Sequence, residues 1–420
     1  MTTLTPQLRP DIRRGRAVTI PPENHLPVPL SPRRLWREDT SRHAVDDDHG
    51  PHLLAAIDWL CVAQDVTPSG GFARGYSQVL NHYFALRGWE PDYAETTGYI
   101  IPTMLAAADR FARADLETRA LRAAEWEFRL QLASGAVPGG VVGEPPSPSV
   151  FNTGQAIFGW LAAHHRTGEA RYADAARAAA RFLVASLDAD GIWRRGHSRF
   201  AVNCAALYNA RTAWALAEAA RRLDSPACRD AAARCLHAVA RRQHSSGWLP
   251  DCCVTDPSQP LLHTLAYAIR GLLEGGRMLD DSRLLSHAAT AAAALADSID
   301  ATGRLAGRFA PNWRGTVRWS CLTGQAQMVG IWLRLYEITG DDEWLEPVVP
   351  AIRFLKSTQD RTSTERGIAG GIAGSEPIDG GYAPQETLSW ATKFFIDALM
   401  RHERVLSRKL TPDDHILMLA

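Results

Sequence analysis

Residues 320–341 read SCLTGQAQMVGIWLRLYEITGD, and this stretch contains most of one structural repeat. Small and apolar residues cover nearly every side of the helix that it predicts, which is typical of a helix buried on most sides. The TGD link at 339–341 ends that helix, and a more strongly charged helix is predicted over 342–358. A near-echo, NTGQA, starts at residue 152 and is followed by a TGE link at 167–169, so the unit recurs.

Twelve helical segments of this kind alternate along the chain. One set is amphipathic and rich in Ala, Arg and Glu, at 52–64, 114–133, 169–187, 226–243, 281–298 and 342–358. The other set is richer in small and aromatic residues, at 94–111, 151–166, 203–222, 261–279, 320–338 and 386–403. A glycine-containing turn precedes each helix of the second set. Six helical hairpins that cannot bury their apolar faces alone predict an all-α (α/α)6 toroid, with an open solenoid as the alternative.

We expect one toroidal domain at 49–408, after an irregular Pro- and Arg-rich arm at 1–48 and before a tail at 409–420. In a closed ring the six inner helices run parallel, so their N-termini share one rim with the long loops. Helix N-termini offer unpaired N–H groups and a positive dipole end. The sequence therefore predicts that this rim carries the functional site.

Composition narrows the classes of function. The 420 residues carry a formal net charge of zero, which argues against a nucleic-acid partner. We find no 18-residue apolar run and no N-terminal signal pattern, so we expect no membrane span. Seven cysteines are an odd number in a long chain and do not indicate a disulfide framework, so we expect a cytoplasmic location.

Two stretches carry a resemblance to a known family. The first is 319–341 with its echo at 152–156, and the second runs from Gly374 through GGYAPQE at 380–386. Together they resemble the catalytic helical domain of glucuronyl C5-epimerases and, more loosely, toroidal glycosidases, uronate lyases and uncharacterised toroids of polysaccharide assembly. The resemblance implies a carbohydrate substrate. The turn at 243–248 also resembles turns of squalene-cyclase and prenyltransferase toroids.

Glu95 and Glu386 are the first candidates for catalysis. We predict them at the starts of the first and the last inner helix, which ring closure makes neighbours with axes roughly 8–10 Å apart. Two carboxylates there could face each other within the ~5–9.5 Å that paired acid and base catalysis uses. The alternative is that both are first-turn residues that interact favourably with a helix dipole.

His263 and Tyr382 are predicted to assist this pair, and Asp251 is a further acid or base on a rim loop. The alternatives are a hydrogen-bonded lumen histidine and an aspartate that stabilises a turn. We expect no cofactor. Zinc bound by Cys252, Cys253 and Cys321 with His263 and Asp251 is an alternative, although the sequence has no compact pair of ligands, and buried inert thiols are the usual state.

Aromatic and polar residues near the predicted rim are candidates for binding sugar. Aromatic faces stack on sugar rings, and polar groups bind their hydroxyls. Core packing and helix capping are the alternatives for each of them. The candidates are Tyr99, Asn152, Gln155, Trp193, Tyr208, Trp248, Arg318, Trp319, Gln325 and Trp390.

These observations favour a carbohydrate-active enzyme that cleaves or modifies a poly- or oligosaccharide carrying acid groups. A uronate C5-epimerase or lyase, a non-catalytic toroid that binds a glycan or a protein partner, and a zinc-dependent cyclase or transferase stay open as alternatives. The sequence leaves the sugar, the linkage and the oligomeric state undetermined.

Overall fold

The structure of the protein is a computed structural model that describes residues 48–141, 145–197 and 206–407. Nearly all of the predicted N-terminal arm, the predicted tail and the first residues of the predicted inner helix at 203–222 lie outside these residues. In the described part, no helix combines the length and the apolar character needed to cross a membrane.

Six inner helices form a closed ring, because each packs against the next and α12 packs against α2. The contact between α12 and α2 excludes the open solenoid and confirms the predicted (α/α)6 toroid. The inner helices are α2 (Ala94–Phe111), α4 (Val150–Thr167), α6 (Ala210–Leu223), α8 (Leu262–Leu279), α10 (Leu322–Thr339) and α12 (Ser389–Leu406).

Six outer helices surround this ring, each packed against an inner helix through its apolar stripe. They are α1 (Gly50–Asp65), α3 (Ala114–Leu130), α5 (Ala170–Ser186), α7 (Pro226–Ala240), α9 (Ser282–Ala296) and α11 (Val348–Ser357). Short 3-10 helices at Leu207–Asn209 and Asp342–Leu345 precede α6 and α11.

The connections on one rim are two residues long, and each starts with a left-handed residue that closes the preceding helix. Gly168 and Gly340 take this role after α4 and α10, with φ of 74° and 70°. Ala112, Asp224 and Asp280 do the same after α2, α6 and α8. A left-handed residue lets the next N–H cap the last turn, so the chain reverses at once.

Glycine lets neighbouring inner helices approach closely. A Cβ on Gly98 would lie 2.8 Å from the backbone of Ala156 in α4. One on Gly271 of α8 would lie 2.3 Å from the carbonyl carbon of Ala210 in α6. The narrow lumen of the barrel therefore depends on residues without a side chain at these contacts.

The opposite rim carries the long loops and all the strands of the described part. Three strands form a sheet in the order β2-β1-β7, namely β1 (Gly75–Asn81), β2 (Leu86–Trp89) and β7 (Glu386–Leu388). Two small antiparallel pairs join β3 (Val137–Gly139) to β4 (Ser147–Ser149) and β5 (Ser320–Cys321) to β6 (Ser375–Glu376). The prediction that Glu386 starts the last inner helix is wrong: it lies in β7, opposite Ser77 of β1, and α12 begins three residues later.

Candidate active site

Side chains near the N-termini of all six inner helices meet in the lumen at the long-loop rim. We call this group the lumen cluster, and its aromatic contacts run from helix to helix. The ring of Phe151 lies 5.3 Å from that of Tyr208 and 5.0 Å from that of Tyr267. The lumen cluster consists of Glu95, Tyr99, Phe151, Gln155, Tyr208, Arg211, His263, Tyr267, Gln327, Tyr382, Trp390 and Phe394.

Glu95 lies in the first turn of α2, and its Oε2 accepts a hydrogen bond of 2.8 Å from the Tyr93 hydroxyl. Burial raises the pKa of Glu95 to about 7, although the hydrogen bond from Tyr93 and the charges of Arg74 and Arg211 act in the opposite direction. A carboxyl group with this pKa is still partly protonated near pH 7. Glu95 can therefore donate a proton, as a general acid must.

Glu386 is fixed by partners on the rim sheet. Its Oε2 accepts from Arg74 Nη1 at 2.8 Å, and its Oε1 accepts from Asn81 Nδ2 at 2.9 Å. The same guanidinium also pairs with Glu90, and burial raises the pKa of Glu90. The Arg74 guanidinium lies 4.9 Å from the Trp390 ring, so this ion-pair group borders the lumen cluster. Glu386 is thus a carboxylate held in one orientation at the mouth.

His263 is buried in the second position of α8, among three rings of the lumen cluster. Its ring centroid lies 4.3 Å from that of Tyr267 and 5.7 Å from that of Tyr382. Burial, with the Arg211 charge as a smaller cause, lowers the pKa of His263 to about 3. Gln327 Nε2 lies 2.7 Å from Nδ1 of the His263 ring. Because the ring is neutral at this pKa, one of its two nitrogens carries a proton that it can donate.

Tyr382 joins the last long loop to α12. Its hydroxyl accepts a hydrogen bond of 2.9 Å from the Trp390 indole, and burial raises its pKa well above the usual value. Trp319 is half-buried beside this loop, in contact range of Gly380 and Gly381. Because a buried phenol with a raised pKa stays protonated near neutral pH, Tyr382 is better placed to donate a hydrogen bond than to remove a proton.

Arg211 lies at the centre of the lumen cluster. Its guanidinium carbon lies within 5.5 Å of the centroids of five rings, and the ring of Tyr267 is 4.9 Å away. Its Nε donates to Gln155 Oε1 at 2.7 Å. Beside it, the hydroxyl groups of Tyr99 and Tyr267 form a hydrogen bond of 3.3 Å. Gln155 and Tyr99 therefore lie in the lumen cluster, where each is fully buried, and their binding of sugar stays a prediction.

Five predicted sugar-binding residues lie in other surroundings. Trp193 is 1% exposed and its indole donates to Leu183 O, as a packed core residue does. Three others have hydrogen bonds that stabilise the fold. The Trp248 indole donates to a loop carbonyl, Gln325 bonds both ends of the 303–305 turn, and Asn152 accepts from the N-cap residue of α4. The fifth, Arg318, is exposed. For these five residues the surroundings favour structural roles or a surface position. Being close in sequence to a glycine turn did not distinguish them from the residues that line the lumen.

Asp251 occupies a left-handed position in the loop before α8, with φ of 57°, and its carbonyl accepts from the Leu207 N–H. Cys252, Cys253 and Cys321 are buried free thiols. Burial raises the pKa of Cys252 well above its usual value and that of Cys321 to about 12, which disfavours the thiolate that a metal requires. Among the described residues, no three His, Cys, Asp or Glu side chains are arranged to hold a metal ion.

Sequence reasoning missed several residues that shape the site. Asn81 is the last residue of β1, and Arg74 and Glu90 directly flank the β1–β2 hairpin, a segment for which the helical repeat makes no prediction. Arg211 lies within a predicted inner helix, where an arginine is unexpected because burial of a charge is costly. A cation inside an otherwise apolar inner helix was the signal that could have identified it.

Comparisons with known proteins agree on the fold. No protein-family model matches the chain, and a search of curated proteins gives no match. Solved structures that are similar include an unsaturated glucuronyl hydrolase specific for heparin, with a TM-score of 0.65 and 16% identity over 85% of this chain and 97% of that one. A cellobiose 2-epimerase from Bacillus thermoamylovorans B4167 has a TM-score of 0.65 and 12% identity over 84% and 97%. A D-mannose isomerase has a TM-score of 0.63 and 13% identity over 83% and 96%. The chain shares the (α/α)6 toroid of these enzymes.

Proposed function

We propose that this protein is a carbohydrate-active enzyme that cleaves a glycosidic bond at the long-loop rim, with Glu95 as the general acid. The observation that carries the proposal is that two carboxyl groups lie at one mouth in different surroundings: Glu95 is bonded to the Tyr93 hydroxyl, and Glu386 is bonded to Arg74. Burial raises the pKa of Glu95 to about 7, which agrees with the role of an acid. A protonated acid and an ionised carboxylate are the two groups that glycoside hydrolysis requires. The similar structures are named for enzymes that act on sugars, which supports a sugar substrate.

In this proposal each group has a separate task. Glu95 protonates the leaving oxygen, and Glu386 stabilises the positive charge that develops on the sugar ring or activates water. The neutral ring of His263 donates a hydrogen bond to a sugar oxygen, while Trp390 offers an aromatic face to the sugar ring. These tasks use the protonation states that burial imposes on Glu95 and His263.

We also propose that the substrate carries acid groups. Arg211 is a buried cation that has no ion pair with any carboxylate in the part of the chain that the structure describes. Its charge lies below the mouth in a medium of low polarity, where electrostatic attraction extends further than in water. An anionic oligosaccharide is therefore favoured over a neutral one of the same size.

Epimerisation or elimination at a uronate is the competing reaction. Either one needs a base that removes a proton next to a carboxylate. Burial raises the pKa of Tyr267 and that of Tyr382, so neither is available as a phenolate near neutral pH, and the pKa of His263 is lowered to about 3, so its ring is a weak base. Hydrolysis with Glu95 as acid agrees better with these protonation states.

The test is a screen of neutral and acidic oligosaccharides with the wild type and with Glu95→Gln, Glu386→Gln and Glu343→Gln. Glu343 is an exposed carboxylate on the opposite rim and serves as the control. We expect new reducing ends, a loss of at least about 10²-fold in kcat for Glu95→Gln and Glu386→Gln, and wild-type turnover for the control. Turnover that survives both substitutions refutes the assignment.

The products separate the alternatives. Deuterium uptake from D2O without chain shortening would indicate epimerisation, and an unsaturated product would indicate a lyase. Saturable binding of a glycan without any turnover would favour a toroid that only binds. A loss of turnover on chelation, with metal present in stoichiometric amount, would favour the zinc alternative.

A further inference from the structure

Below the lumen cluster the barrel contains a small, partly open cavity. The centre of a water-sized sphere can move within about 20 Å³ of this cavity. That is enough space for a water molecule or a single small ion. Its wall contains three arginines from three inner helices, namely Arg211, Arg270 and Arg401. Their exposed fractions are only 1%, 8% and 1%.

Each of these arginines has a nitrogen without a hydrogen-bond partner among the described residues. The nitrogens are Nη2 of Arg211, Nε of Arg270 and Nη2 of Arg401. One other nitrogen of each group has a partner: Arg211 Nε donates to Gln155, Arg270 Nη2 pairs with Glu274 at 2.8 Å, and Arg401 Nη1 pairs with Glu337 at 2.6 Å. A buried donor without an acceptor is unfavourable, so these three nitrogens indicate a missing acceptor.

The charges around the cavity do not balance. Asp397 is the one acidic residue in the wall, and its oxygens already accept from Lys393 Nζ at 2.6 Å and Thr103 Oγ1 at 2.7 Å. With the directly ion-paired neighbours included, six cations face three carboxylates. The cations are Arg211, Arg270, Arg277, Arg334, Lys393 and Arg401, and the carboxylates are Glu274, Glu337 and Asp397.

The ionisation of the wall agrees with this excess of positive charge. Burial and the nearby arginines lower the pKa of Lys393 to about 7, although Asp397 acts in the opposite direction. Burial and the neighbouring arginines also lower the pKa of Arg270 to about 9, against the charge of Glu274. A cavity surrounded by such groups has a positive potential in a medium of low polarity.

We infer that this cavity binds one small monovalent anion, chloride or another halide, between the guanidinium groups of Arg211, Arg270 and Arg401. A water molecule could satisfy the donors but would leave the charge uncompensated. An open volume of this size matches a single atom or ion better than it matches phosphate, sulfate or the carboxylate of a sugar. The cavity shares Arg211 with the lumen cluster, so a bound anion would weaken the attraction that favours an acidic substrate. The proposed hydrolysis by Glu95 does not depend on this anion, and the test of the anion needs no sugar, so either of the two can fail without the other.

Bound anion would stabilise the folded state by mass action. We expect the Tm of the wild type to rise saturably as chloride replaces gluconate at constant ionic strength and pH. Gly330→Ala tests the space, because its Cβ would meet only Arg270 Nη1, at 3.6 Å, and would occupy part of the cavity. We expect at least a tenfold weaker chloride response in this variant, and an unchanged response in Ser286→Ala on the exposed face of α9.

Crystals of the wild type grown or soaked with bromide provide the decisive measurement. We expect an anomalous peak in the cavity within hydrogen-bond distance of at least two of the three arginines. Water alone in the cavity, bromide confined to the surface, or a Tm that is the same in chloride and gluconate overturns the inference. A chloride response in Gly330→Ala equal to that of the wild type also contradicts this location.

Discussion

Replacing Glu95 by Gln should stabilise the fold while it removes activity. The pKa of Glu95 is about 7 in the folded protein and 4.5 for the free side chain. Between pH 4.5 and 7 the folded protein therefore keeps a proton that the unfolded chain has released. Below pH 4.5 both states are protonated and the substitution changes little. As the pH rises from 4.5 through 7, the wild type loses stability relative to the variant, and the difference approaches about 3 kcal/mol at most, at 1.36 kcal/mol for each pKa unit.

Urea unfolding of the two proteins at half-unit steps from pH 4 to 8.5 measures this difference directly. The neutral amide of the variant can still accept from the Tyr93 hydroxyl, so the comparison isolates the carboxylate charge. Glu343→Gln should show no such trend, because that carboxylate is exposed. A difference between wild type and Glu95→Gln that is constant across this range, or that favours the wild type above pH 7, would refute the reasoning.

Three further perturbations follow from the same contacts. Arg74→Met should destabilise the fold by roughly 3–5 kcal/mol in urea unfolding, because Glu386 would lose the cation that neutralises it. The buried His49–His402 pair should make the fold acid-sensitive, because burial and, to a smaller extent, Lys356 lower the pKa of His49 to about 4. The stability should therefore fall as the pH drops from 6.5 towards 4, and His49→Asn should reduce that fall. Gly271→Ala should cost about 1–3 kcal/mol in thermal unfolding, because its Cβ would overlap the backbone of α6.

Matched variants check each of these expectations. Arg74→Lys keeps a cation, so it should recover part of the stability lost in Arg74→Met; equal losses would contradict the ion-pair explanation. His165→Asn, at an exposed histidine, should leave the acid response unchanged. Gly330→Ala adds the same atom where it meets no backbone, so it should destabilise far less than Gly271→Ala.

The helical repeat could be predicted from the sequence because its signals are local. Inner helices are apolar on most sides, and two-residue links such as the one starting at Gly340 end them in a left-handed residue that glycine adopts readily. Ring closure followed from the number of hairpins, and the contact between α2 and α12 confirms it. Glu95, His263 and Tyr382 therefore reach the mouth from their expected places in the chain.

The rim sheet could not be predicted in the same way. Its third strand is three residues long and pairs with a hairpin some 300 residues earlier, so neither strand is fixed by local periodicity. This long-range pairing displaces Glu386 from α12 and brings it to Arg74 and Asn81. The place of Arg211 in the site could not be predicted for another reason. Its buried guanidinium is stabilised by five surrounding rings, and only the closed barrel brings these rings together.

The central claim is that sugar is processed at the long-loop rim by Glu95. A crystal structure of Glu95→Gln with the oligosaccharide that the wild type turns over fastest tests it most directly. The account predicts a sugar in the mouth, with its glycosidic oxygen within hydrogen-bond distance of residue 95 and its ring near Trp390. A sugar bound on the opposite rim or the outer face, with residue 95 out of reach, would contradict it.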